Sequence, residues 1–222
     1  MPTAAPLRKR SRLPLWLKIA FTIFLGVLIW RYWPVYGPAD FLWFCDVAAI
    51  LTLVALWLES PLLAGANAVG MTLPQTIWII DFLSGGRLLG ISAYMFDADI
   101  PLFVRALSTF HIWLPFLLIW MVWRLGYDRR AFALQTIICA AVLLASYLLT
   151  DPRHPPVGYP DAAVNVNRVF GPRVTQVQTW MPGWAYLVLQ IVLYSLLIYL
   201  PTHLVFRRIF APRARARAEL AA

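Results

Sequence analysis

The sequence predicts an all-α polytopic membrane protein with six transmembrane helices and both termini on the cytoplasmic side. Three observations carry this. Hydrophobic residues make up 61% of the 222 positions and charged residues only 13%, against roughly 45–50% and 25% in soluble domains. Six apolar runs approach the ~20 residues that a bilayer core demands of a helix. The basic residues, finally, are unevenly shared between the two sets of connections.

The elements follow in order. Residues 1–13 are a basic tail with Arg8, Lys9, Arg10 and Arg12. The next apolar run ends in WRYWPVYG rather than a small-x-small cleavage site, so it reads as an uncleaved first helix over 14–33. Further spans are predicted over 40–58, 62–83, 106–125, 131–149 and 184–206. Residues 14–206 thus form one transmembrane domain, and 207–222 a second basic tail. Trp30, Tyr32, Trp33, Tyr36, Trp43, Trp180 and Trp184 stand at the borders, as interfacial rings do.

Lysine and arginine set the orientation. Arg8, Lys9, Arg10, Arg12, Lys18, Arg124, Arg129, Arg130, Arg207, Arg208, Arg213, Arg215 and Arg217 would all share one side, thirteen of the 19 basic residues. That side is cytoplasmic by the positive-inside rule, which places the chain in a plasma membrane if it is bacterial. The net charge of +9 lies mostly in the tails and comes with no recognition motif. It is topogenic or lipid-facing charge, and the expected partners are membrane lipids rather than nucleic acid. The oligomeric state is not encoded in any pattern here.

Two segments depart from a plain bundle. Residues 84–105 are too polar and interrupted to span, and read as a re-entrant or interfacial hairpin on the outer side. Residues 150–183 form a long outer loop, and loops of that length are functional or disordered. No internal repeat is present, which argues against an inverted-repeat transporter.

Polar residues inside spans should face the bundle interior. Span two carries Cys45, Ala48, Ala49, Thr52, Ala55 and Glu59 at helical spacing. Span three carries Asn67, Gly70, Pro74, Trp78 and Asp81, and span four Ser108, His111 and Pro115. Span five adds Gln135, Cys139, Val142 and Ser146, and span six Tyr186, Gln190 and Tyr194. Depth sharpens this: at about 1.5 Å per residue, Cys45 and His111 each lie only ~8 Å below the outer end of their span. Asp46, Asp81, Arg87, Asn165 and Asn167 fall on the same side. Asp46 is set about 100° around the helix from Cys45.

A cysteine and a histidine at one depth permit nucleophilic acyl transfer. His111 takes the thiol proton, Cys45 attacks an ester carbonyl, and Asp81 or Asp46 orients the imidazole. Arg87, Asn165 and Asn167 are the candidate substrate-binding groups, for a lipid phosphate or an oxyanion. The plainer alternatives stand beside this reading. Cys45 is a small core residue, His111 an interhelical hydrogen bonder, and the aspartates partners of Arg87 or Arg105. On those terms the protein is a small-molecule or lipid transporter, or an assembly partner, binding through the same layer. His154 reads as a loop residue and His203 as a cytoplasmic-end residue. Both cysteines lie in apolar runs, and neither CxxC nor clustered histidine occurs. No disulfide framework, metal site or cofactor is therefore expected, although His111, Cys45 and one aspartate are acceptable ligand types.

The runs FLWFCDVAAIL, LSTFHIWLPFLL, NVNRVFGP and MPGWAYLVLQIVLYSLLIYLP resemble the YwaF-type six-span integral membrane proteins of bacteria. That group is similar to the eukaryotic cysteine-dependent phospholipid acyltransferases, and more remotely to the androgen-induced-type membrane hydrolases with their Thr/His pair. The resemblance covers most of the chain from span two onward. It implies Cys45 as nucleophile and His111 as base, with Asn165 and Asn167 in the polar outer-loop motif.

Overall fold

The computed structural model describes residues 12–173 and 176–219; the calls on the basic residues before Arg12 lie outside them. The regular structure of the described residues is entirely helical, without strands, and 72% of the structure is helix. The main helices are α1 (Leu15–Tyr36), α2 (Phe44–Leu58), α3 (Pro61–Leu83), α4 (Leu102–Ser108), α5 (Phe110–Leu125), α6 (Ala131–Leu149), α7 (Gly183–Leu193) and α8 (Leu200–Glu219). Short 3-10 turns occupy Pro38–Leu42, Ala93–Phe96 and Val166–Arg168.

α3 is the axis of the bundle, packed against α2, α5 and α6. Its sequence explains why. Ala64, Gly65, Ala66, Ala68 and Gly70 are buried small residues that let neighbouring backbones come close. A Cβ on Gly65 would lie 3.0 Å from that of Ala131, and one on Gly70 would collide with the Gln135 side chain at 2.2 Å. Ser60 starts α3 by accepting the Leu63 N–H at 3.3 Å, with Pro61 in the first turn.

Among the described residues four helices are long and apolar enough to cross a membrane: Leu15–Tyr36, Leu102–Leu125, Ala131–Leu149 and Gly183–Phe210. Spans two and three of the sequence reading are the exceptions. α2 has 15 residues, about 22 Å at 1.5 Å each, less than the ~30 Å of a hydrocarbon core. Residues 40–42, read as its start, belong to the preceding 3-10 turn. α3 has the length, at 23 residues, but its small and polar interior face dilutes its hydropathy. The span read as 106–125 begins earlier, at Leu102, and is interrupted at Thr109, whose N–H bonds the Ala106 carbonyl at 3.2 Å.

The exposed tryptophans gather at the two ends of the bundle. Trp16, Trp57 and Trp123 lie at the end where α1 begins; Trp30, Trp33, Trp180 and Trp184 lie at the other. The first is called here the terminal end and the second the loop end. At the terminal end Glu59, in the left-handed conformation at φ 48°, closes α2. Its carboxylate accepts the Arg12 N–H at 2.9 Å and pairs with Lys18 Nζ at 2.8 Å. The Arg124 guanidinium donates to the Arg12 carbonyl at 2.9 Å, bringing α5 to the same corner.

α7, the residues Tyr194–Tyr199 and α8 run on as a single rod, the middle piece being a π-helix. The buried positions on it are Tyr186, Leu187 and Gln190, then Ser195, Tyr199, Thr202, His203, Phe206 and Phe210. The five-residue step from Gln190 to Ser195 is one residue more than an α-helical face allows, and the wide turn absorbs it. His203, read from the sequence as a cytoplasmic-end residue, is buried, with its Nδ1 2.7 Å from the Tyr127 hydroxyl.

Candidate functional site

Cys45 stands in the first turn of α2, and that turn is built from a distance. Asn167, in the left-handed conformation at φ 53° and ψ 16°, accepts the Phe44 N–H on Oδ1 at 3.1 Å. Its Nδ2 donates to the Leu42 carbonyl at 2.7 Å and to Ser146 Oγ at 3.1 Å. A side chain 123 positions away thus does the work of a helix N-cap and ties α2 to α6. Gln190 from α7 supports the loop by donating to the Asn167 and Arg168 carbonyls at 3.3 and 3.1 Å. Asn165 holds the same loop closed. It donates to the Gly171 and Arg173 carbonyls at 3.0 and 2.8 Å and accepts the Phe170 N–H at 3.0 Å. Both asparagines are buried, and both are occupied with backbone.

Asp81 is similarly committed. Its Oδ1 accepts the Leu89 and Gly90 N–H groups at 2.6 and 3.2 Å, and its Oδ2 the Ser92 N–H and hydroxyl at 2.8 and 2.7 Å. This fully buried carboxylate folds the 84–92 segment onto the end of α3. It does not orient His111. Arg87 is exposed, with its backbone N–H on Ser84 Oγ, and its side chain takes no part in a cluster with the other candidates.

Cys45 and Asp46 do meet, despite their 100° separation around the helix. The half-buried thiol donates to Asp46 Oδ2 at 3.3 Å. Asp46 is the more buried of the two, 4% exposed, and its Oδ1 has no hydrogen-bond partner among the described residues. Above them the Tyr32 hydroxyl and Ser108 Oγ share a buried hydrogen bond of 2.8 Å that joins α1 to α4. Trp43 donates its indole N–H to Asp40 Oδ1 at 3.1 Å in the turn ahead of α2. Burial there pushes the Asp40 carboxyl up to about 6, against the opposing pull of that bond.

His111 sits in the first turn of α5. Its Nδ1 is 2.8 Å from Oε1 of Gln75, a buried residue of α3. Its ring stacks on Trp78, with centroids 4.6 Å apart and planes 18° apart, and on Phe110, at 4.3 Å and 24°. Among the described residues Nε2 has no hydrogen-bond partner, and Cys45 and His111 do not bond each other. Three or more His, Cys, Asp or Glu side chains converge nowhere among the described residues, so Cys45, His111 and an aspartate are not gathered as ligands.

Gln75 is the residue the sequence reading passed over. An amide in the middle of an apolar run is costly in lipid, and that cost alone marks it. An apolar groove of about 350 Å³, lined by Leu17, Ala20, Phe21, Phe24, Trp113 and Leu117, is separate from this site. Trp113 lies two residues past His111 and so on the opposite face of α5.

Set against known proteins, the chain matches no family model, no curated protein and no solved structure.

Proposed function

We propose that this is a six-span membrane protein with both termini cytoplasmic, whose loop end faces outward and carries a Cys45/His111 pair acting on the acyl group of a lipid ester. One observation supports this most: His111 is fixed through a single ring nitrogen, which leaves Nε2 without a hydrogen-bond partner among the described residues, and the Cys45 thiol is only half-buried. Nε2 would take the Cys45 proton as Sγ attacks the ester carbonyl. The C–O bond breaks, His111 returns the proton to the departing alkoxide, and a thioester remains on Cys45. Water or a second alcohol then cleaves the thioester, giving hydrolysis or transfer. The thiol must first turn away from Asp46. α2 and α3, short or dilute in hydropathy, would cross within the shelter of the other four helices.

The test is turnover of a fluorogenic long-chain ester by purified protein, compared with Cys45→Ala and His111→Ala. Loss in both variants is expected; equal turnover in all three sinks the reading. A second reading, binding or transport of a small molecule or lipid without reaction, is favoured by the resting hydrogen bond of the thiol to Asp46 rather than to His111. Thiol-alkylation rates separate the two. A nucleophile reacts quickly and slows in His111→Ala, whereas a packing cysteine is slow in both.

A further inference from the structure

We propose that Gln75 is the positioning residue that sets the tautomer of His111, holding the proton on Nδ1 and leaving Nε2 as the nitrogen that accepts a proton. The inference rests on the reading of His111 as the general base.

A glutamine amide presents one acceptor and one donor group, and which of them faces the imidazole decides the tautomer. Two contacts orient this amide. Gln75 Oε1 lies 2.8 Å from His111 Nδ1, and Gln75 Nε2 lies 3.9 Å from Met71 Sδ. The thioether is a weak acceptor with no hydrogen to give. Turning the amide over would set its carbonyl oxygen against that sulfur and forfeit the contact. With Oε1 toward the ring, Nδ1 must carry the hydrogen, and in a neutral imidazole Nε2 then holds the lone pair.

The ring is fixed in its other degrees of freedom as well. Trp78 and Phe110 both stack nearly parallel to it at 4.6 and 4.3 Å, which two rings can do only from opposite faces. Met71, Gln75 and Trp78 recur at i, i+4 and i+7 along α3, so one stripe of one helix supplies the orienting amide, its support and a stacking partner. A neutral amide sets the direction of the ring without adding a charge to an apolar region, where a charge is costly.

The test is the ¹⁵N spectrum of histidine-labelled protein in lipid nanodiscs, with His111 assigned by its loss in His111→Ala. The protonated-Nδ1 form is expected in the wild type, and a mixture or the Nε2-protonated form in Gln75→Leu. Gln75→Glu keeps an acceptor of the same reach and should retain the wild-type tautomer; it also carries the test if the leucine variant fails to fold. Turnover of a 4-methylumbelliferyl ester should fall in kcat by roughly tenfold in Gln75→Leu with KM little changed. A wild-type His111 protonated on Nε2, or a tautomer unmoved in Gln75→Leu, overturns the proposal even if the ester is turned over. Absence of turnover in the wild type overturns the catalytic reading instead and leaves the tautomer result standing.

Discussion

Asp81 and His111 are both held at the loop end of α3, yet the two regions use their polar groups in opposite ways. Around Asp81 every carboxylate oxygen is occupied, by three backbone N–H groups and a hydroxyl. Near Cys45 and His111, among the described residues, the buried Asp46 Oδ1 and the His111 ring nitrogen Nε2 have no hydrogen-bond partner. A buried polar atom with no partner is costly, and Asp46 Oδ1 is one of four such side-chain atoms among the described residues, with Arg105 Nε, Gln135 Oε1 and Gln190 Oε1. The difference is between a carboxylate spent wholly on neighbouring donors and one that keeps an open oxygen.

Substitutions can break that contrast. The largest loss of stability is expected for Asp81→Ala, which strands four donors at once. Thermal unfolding in detergent should show a larger decrease than for any other change named here, with little effect on His111 alkylation or tautomer. Next comes Asn167→Ala, which removes the distant cap of α2 and two further bonds; the expected cost is about 2–4 kcal/mol by chemical denaturation. Because that cap seats the turn bearing Cys45, thiol-alkylation rates should change too, linking the two regions.

Asp40→Asn should act in the other direction. The folded carboxyl titrates near 6, above the ordinary value of about 3.9, so folding favours the protonated form. Stability therefore falls as pH rises from about 4 to 6 and levels off above. The amide keeps an acceptor for Trp43 and cannot ionise. It should stabilise the protein by about 1–2 kcal/mol at pH 7 and by nothing measurable at pH 4. The smallest effect belongs to Cys45→Ala: the half-buried thiol has one weak bond to lose, so a cost under about 1 kcal/mol is expected, whatever happens to turnover. A greater loss would mean that Cys45 is a packing residue and would erase the contrast.

The interior was legible in the sequence wherever helical spacing decides it. Gln135, Cys139, Val142 and Ser146, read as one face, are all buried. So are Ala48, Ala49, Thr52 and Ala55 on α2. The partners were not legible, because they depend on loop conformation that no periodicity records. Nothing in NVNRV announces that Asn167 will adopt a left-handed backbone and cap a helix 123 residues earlier. Nothing after Asp81 announces that the chain will curl back onto it. Gln75 was hidden for a different reason: it stands about 100° around the helix from Pro74, off the face formed by Asn67, Gly70, Pro74, Trp78 and Asp81. Asp46 and Cys45 meet because side chains bend across an angle that a helical wheel treats as a separation.

The wide turn at Tyr194–Tyr199 makes the last rod a splice of two gearings. Its first half serves the loop end, where Gln190 steadies Asn167, and its second half serves the terminal end, where His203 meets Tyr127. The wide turn takes up the extra residue and so keeps the two buried faces in phase. Rewinding the same residues as an even α-helix would rotate the second half by about 100°, swinging Tyr199 and His203 out of the bundle without touching any residue of the site. Deleting one residue within the turn, by contrast, should straighten the rod and leave both ends seated.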